Sequence, residues 1–171
     1  MIRSWAVTTL NGSAQPVFGD VTTAALAATD GSLLINVPVA STTRYEAGDR
    51  IVIDPELATQ DTLLVDHIVS GTVLACRSEG NKKTNAHTTS AIIQLSIACS
   101  QILTQGFSLS ANVYFGSDNT VTNAGGGSAF GYIYPAGAYS IGNPQYNCQR
   151  TSDIWMAGKN ADTIGVAAIV L

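Results

Sequence analysis

The chain has 171 residues, a formal net charge of −4 and 46% hydrophobic residues, but only 12% charged ones, about half the ~25% of an ordinary globular domain. That length supplies a core without metals or disulfides. The acidic balance argues against nucleic acid as a partner, which needs clustered Lys and Arg, and no run approaches the ~18 apolar residues of a membrane span.

In chain order, the first stretch, Met1 to Leu10, lacks the apolar run and small-residue cleavage site of a signal peptide, which predicts synthesis in the cytosol. Thr22 to Ala28 is rich in Ala but spans barely two turns, so helix and extended strand both fit, with strand favoured. Runs of Val, Ile, Leu, Thr and Tyr bounded by turn residues then predict nine strands. They cover Leu33 to Val39, Arg50 to Asp54, Thr62 to Val69, Thr72 to Arg77, Ala91 to Ile97, Ala111 to Phe115, Phe130 to Tyr134, Asp153 to Ala157 and Thr163 to Leu171.

Ser70-Gly71 between two of these predicts a tight hairpin. Arg77, Lys82 and Lys83 form the one basic cluster and read as a solvated turn, and Asn85 to Ser90 as a single polar turn. Ser100 to Gln105 contains no Pro or Gly and could continue a strand. Asn119 to Ser128, with Gly125-Gly126-Gly127 inside it, predicts a flexible loop. No phosphate-loop Lys or GxGxxG spacing accompanies it. The final run, Thr163 to Leu171, has no charged side chain and must lie inside a sheet or be paired, since an exposed edge of that composition would aggregate.

These patterns predict an all-β fold, sandwich or barrel-like, in two β-rich units over 1–98 and 99–171 that share a core or pack side by side. Glu46, Asp49, Asp54, Glu56, Asp61 and Asp66 fall in the first unit, whereas from Thr88 to Gln149 the only charged residue is Asp118. Most aromatics fall in the second unit.

Residues able to carry chemistry are few. His67 stands beside Asp66 in a predicted strand, where alternation sends the two side chains to opposite faces. His87, in its polar turn, has no Cys or Asp at ligand spacing, and both histidines read as satisfied or solvated. Asp49, Asp54, Glu56 and Asp61 do not follow a calcium-loop pattern and fit turns at strand ends. Cys76, Cys99 and Cys148 are odd in number and share no CxxC spacing, so free thiols are expected. No nucleophile elbow or triad spacing is present. The expectation is a non-enzymatic chain with no cofactor and no metal.

The run Arg44-Tyr45-Glu46-Ala47-Gly48-Asp49-Arg50-Ile51-Val52-Ile53-Asp54 resembles a phrase of bacteriophage virion proteins, in which x-G-D opens a strand. In that phrase a second strand follows, then a hairpin with a T-V-L strand, an Arg, a Gly-containing turn and A-H-x-x-G-A. Thr62 to Val69, Thr72 to Arg77, Gly80 and Ala86-His87-Thr88-Thr89-Ser90-Ala91 are similar, with Ser90 where Gly is commoner. Thr9 to Gly19 and Asn112-Val113-Tyr114-Phe115-Gly116, followed by Pro135-Ala136-Gly137 and two last strands, also resemble small head and tail accessory proteins.

The resemblance implies a virion structural protein, foremost a capsid decoration or cement protein that binds and stabilises the shell. Its alternative is a minor tail, baseplate or head-fibre component that contacts host-surface glycans. The partners implied are the major capsid protein and copies of the chain itself, a trimer being one candidate homo-oligomer, with no nucleic acid and no membrane. Trp5, Phe18, Tyr132, Tyr134 and Trp155 are the candidate interface residues, with core filling as the competing reading of each.

Overall fold

A computed structural model describes residues 2–31, 33–133, 138–141 and 150–170. Among them are fourteen strands: β1 (Ile2–Thr9), β2 (Gln15–Pro16), β3 (Gly19–Val21), β4 (Ile35–Pro38), β5 (Arg50–Ile53), β6 (Asp61–Ser70), β7 (Val73–Ser78), β8 (Ile92–Leu95), β9 (Cys99–Ser108), β10 (Val113–Gly116), β11 (Ala129–Ile133), β12 (Ala138–Ile141), β13 (Trp155–Ala157) and β14 (Thr163–Val170). Helical backbone among the described residues is limited to two single 3-10 turns, Glu79–Asn81 and Thr151–Asp153. The fold is all-β.

Every run expected to be a strand forms one, with ends displaced by no more than two residues, and Ser100 to Gln105 does continue a strand, β9. The Thr22 to Ala28 segment is neither helix nor continuous strand; it makes isolated bridges from Thr22 to Val39 and from Leu26 to His87.

Two compact units make up the chain: Met1–Phe18 with Ile97–Leu171, and Gly19–Ser96. The division near residue 98 lies close to the expected boundary, but the first eighteen residues belong with the C-terminal portion. The reason is backbone pairing between the two ends of the chain: β1 runs antiparallel along β14 from Ile2↔Ile169 to Thr9↔Thr163, and β2 pairs with β13 through Pro16↔Trp155.

The discontinuous unit holds two four-stranded sheets, ordered β1-β14-β9-β12 and β11-β10-β13-β2. The uncharged last run is an inner strand, hydrogen-bonded to β1 on one side and β9 on the other. Its Ile164, Val166 and Ala168 are buried and alternate with half-buried neighbours, the period-2 signature of a strand with one face toward the core. In the second sheet, Val113, Phe115, Ile133 and Met156 occupy one face, as their cross-strand pairing requires. Tyr114, Tyr132 and Ala157 occupy the other.

The continuous unit is one six-stranded sheet, ordered β3-β8-β5-β6-β7-β4. Ile51, Ile53, Leu63, Val65, Ile93, Leu95 and Cys76 share its buried face. The hairpin between β6 and β7 forms where Ser70-Gly71 predicted it, with Gly71 and Thr72 as the two connecting residues. Gly19 pairs with Gln94, so this unit begins and ends on adjacent strands.

Candidate functional site

Three ionisable side chains converge at the end of the six-stranded sheet. Asp61 is the first residue of β6 and, opposite Ile53, points to the same face as Leu63. A carboxylate among aliphatic side chains is costly unless its oxygens find donors. Asp54 follows β5 in a turn whose φ is +50°, a left-handed conformation that Asp tolerates better than most residues. His87 is carried over both by the segment after β7, which is tied to Leu26 by reciprocal backbone hydrogen bonds of 2.9 Å.

Here His87 Nδ1 lies 2.8 Å from Asp54 Oδ2 and Nε2 lies 2.8 Å from Asp61 Oδ2, with the imidazole side chain only 2% exposed. Asn85 adds two donors to Asp61: its backbone N–H at 2.6 Å to Oδ2 and its side-chain amide at 3.1 Å to Oδ1. The imidazole thus bridges the two carboxylates edge-on, one ring nitrogen to each.

Chemically, this arrangement binds the protein to itself. Both ring nitrogens are engaged, so neither is free to take a substrate proton. The two carboxylates sit at opposite edges of the ring and do not meet at a point where a cation could bind. No group of three metal-capable side chains is found among the described residues. The adjoining cavity, bordered by Leu26, Ile53, Leu63 and His87, measures about 10 Å³, room for about one water molecule. Of the two readings of His87, satisfied or solvated, the structure shows the satisfied one: no Asp lies at ligand spacing, and its partners, 26 and 33 residues away, meet it only through sheet pairing.

Strand alternation also fails at the other histidine. A register irregularity between Val65 and His67 breaks the two-residue repeat, so Asp66 and His67 do not point apart; His67 Nδ1 lies 2.9 Å from Asp66 Oδ2. Arg77 pairs with the same carboxylate. Both partners are half exposed, so this is a weak surface cluster.

Several remaining ionisable groups also serve as internal fasteners. Asp162, 5% exposed, accepts the backbone N–H and hydroxyl of Ser110 at 3.0 and 2.8 Å and the Ala111 N–H at 3.3 Å. Asp49 accepts the Glu46 N–H at 2.8 Å. Tyr45 is buried and donates to Asp20 at 3.1 Å, and burial followed by the Asp20 charge pushes its phenol far above the usual range. Burial pushes the Cys76 thiol up to about 12, which keeps it protonated and unreactive. Cys76 and Cys99 are buried thiols outside any disulfide among the described residues; Cys148 lies outside the described residues.

Of the candidate interface residues, Phe18 is fully buried and Trp155 is 2% exposed, so both fill the chain's own interior and are not available to a partner. Trp155 lies under the β10–β11 loop, whose Val121 packs on Trp155 and Ala157 with Ala14, Tyr114 and Ala129 around them. Tyr132 is 41% exposed, on the same face as Tyr114, with ring centroids 5.7 Å apart and planes inclined by 44°. Tyr134 lies outside the described residues, as does the Trp5 side chain.

The glycine-rich loop expected to be flexible is densely hydrogen-bonded. The Thr120 hydroxyl and N–H donate to Asp118 Oδ1 at 2.6 and 2.8 Å. Ser128 N–H donates to Thr120 Oγ1 at 3.1 Å, and Gly126 N–H to Thr122 Oγ1 at 2.9 Å. Donation from the Thr120 hydroxyl and N–H, then from Ser128, holds the Asp118 carboxyl below the usual carboxylate range. Gly127, at φ +68°, could carry no Cβ, which would fall 1.8 Å from the Thr120 carbonyl oxygen. At Gly125 a Cβ would fall 2.6 Å from Tyr114 Cε1. The three glycines therefore let a tight loop close over Trp155 instead of leaving it loose.

Comparison with protein-family models, with curated proteins and with solved structures finds no match.

Proposed function

We propose that this chain is a non-enzymatic structural component of a bacteriophage particle, foremost a capsid decoration protein that binds the assembled shell together with further copies of itself. The observation that carries the reading is the way charge is used. Of the few charged groups, Asp49, Asp61 and Asp162 are turned inward to fasten loops. The surface meanwhile keeps large aliphatic side chains, with Ile2, Leu33, Leu34, Leu57 and Val69 each at least half exposed (63, 68, 50, 55 and 52%).

A monomer that must stay dispersed usually does the reverse. A protein laid down in many copies covers such side chains against its neighbours. Bridging two or more shell subunits makes separation harder than any single contact would. The resemblance of residues 44–54 and of the segments after them to virion proteins supports the same reading.

Quantitative mass spectrometry of purified particles tests it. Hundreds of copies per particle are expected, together with binding of the isolated chain to shells that lack it. A dozen or fewer copies would move it to a tail, baseplate or head fibre, and absence from the particle would reject the reading.

A further inference from the structure

We propose that Tyr132, Tyr114 and the Thr122–Gly126 turn form a binding platform for a neutral carbohydrate, with one sugar ring stacked on the tyrosine face. The proposal rests on the geometry of β10, β11 and their loop, and stands whether or not the chain belongs to a virion.

Tyr114 and Tyr132 are cross-strand partners on neighbouring strands, and β11 is the outermost of the described strands of its sheet. Tyr132 therefore stands at a sheet margin with 41% of its surface exposed, while Tyr114 is held half-buried beside it. Gly125 approaches the edge of the Tyr114 ring so closely that a methyl group would lie 2.6 Å from Cε1. The loop backbone is thus pressed against the Tyr114 ring, and Thr122, Asn123 and Gly126 of the same loop are exposed. Tyrosine has an apolar ring face and a polar tip, which suits a ligand that is apolar on its C–H faces and polar at its rim.

Charge selects among ligands. The whole segment from 88 to 149, which supplies both tyrosines and the loop, has one charged residue, Asp118. Phosphorylated, sulfated or polyanionic ligands would need cations that this segment does not contain. Hydroxyls, a side-chain amide and main-chain groups remain, and these match the hydroxyls of a neutral sugar. A proline-rich peptide also docks on aromatic side chains, but it uses an aromatic-lined groove, so it serves as the competing ligand in the test.

The test uses the full chain titrated separately with maltohexaose, cellohexaose, chitohexaose, sialyllactose and a proline-rich decapeptide, followed by NMR of the tyrosine rings and by calorimetry. One of the three neutral oligosaccharides is expected to shift the Tyr132 and Tyr114 ring resonances. Its affinity should fall at least tenfold in Tyr132→Ala and stay within about threefold in Tyr132→Phe, with thermal stability unchanged in both. No shift with any neutral oligosaccharide overturns the proposal, as does preferential binding of sialyllactose or the decapeptide at these rings, or undiminished binding in Tyr132→Ala. The ring shifts in the unmodified chain decide the matter even if a variant folds poorly.

Discussion

The two units of this chain solve the problem of holding a sheet together in different ways. The continuous unit, Gly19–Ser96, contains fourteen of the twenty formally charged side chains and uses several as internal links, with His87 between Asp54 and Asp61 as the central one. The discontinuous unit has few charges and relies on backbone pairing between distant segments, apolar alternation and a hydrogen-bonded loop. The contrast teaches that a charge-poor sequence need not be uniformly apolar in its logic. Where charge is kept, part of it fastens turns to the sheet.

The sharpest way to break the comparison is to put a charge where only apolar packing holds. Val166, 4% exposed on an inner strand, should not tolerate Lys: burying an unpaired ammonium ought to cost more than ~4 kcal/mol. In Val166→Lys, hydrogen exchange should show β1, β9 and β14 unprotected while residues 19–96 keep their protection. Uniform loss of protection in both units would mean that they do not fold separately.

The mirror experiment removes the polar link. His87→Ala leaves Asp54 and Asp61 without their shared hydrogen-bond partner, and each buried polar group left unsatisfied costs about 1–3 kcal/mol. Urea denaturation should register this loss, confined by hydrogen exchange to 19–96, and His87→Ala combined with Asp61→Ala should recover part of it. A change under ~1 kcal/mol would show that the apolar face alone sustains the sheet.

A smaller effect is expected at Gly127. Replacement by Ala forces a left-handed backbone and a clash with the Thr120 carbonyl, costing about 2 kcal/mol. The loop should lift, and in a Trp5→Phe background the Trp155 fluorescence should move to the red as water reaches it. An unshifted spectrum would show that the loop does not shield that ring.

Alkaline pH has the smallest effect, vanishing at neutrality. Tyr45 and Cys76 both have folded values above their unfolded ones, so the folded unit keeps protons that the unfolded chain releases. Stability is then undiminished below the unfolded values, ~8.5 for Cys and ~10 for Tyr, and falls as pH rises from there toward the folded values. Exchange measured from pH 8 to 11 should show 19–96 loosening first; equal loosening of both units would remove this distinction between them.

Much of the fold was legible because strand periodicity is a local signal. Leu63 and Val65 alternate with half-buried neighbours, and the final uncharged run had to lie inside a sheet or be paired. β1, β2, β3 and β12 were not legible. The short β2 and β3 are strands by virtue of their partners, Met156 and Trp155 for one and β8 for the other. The Asp54–His87–Asp61 link was read as three unrelated turn residues, and no spacing rule would have joined them. Asp66 and His67 were assigned to opposite faces by a repeat that a register irregularity interrupts. Trp155 carried two readings, contact and core filling, because nothing local indicates that Val121, 34 residues earlier, covers it.

By itself, then, the sequence determined the all-β class, the positions of the principal strands and the shortage of surface charge, because each depends on residues within a few positions of one another. Only the tertiary structure decided that the two chain ends share a sheet, that a histidine is held between two carboxylates, and that Tyr132 stays exposed while Phe18 and Trp155 do not. Those outcomes depend on which strands pair and in what register, and pairing energy is realised only when segments far apart in the chain are brought together.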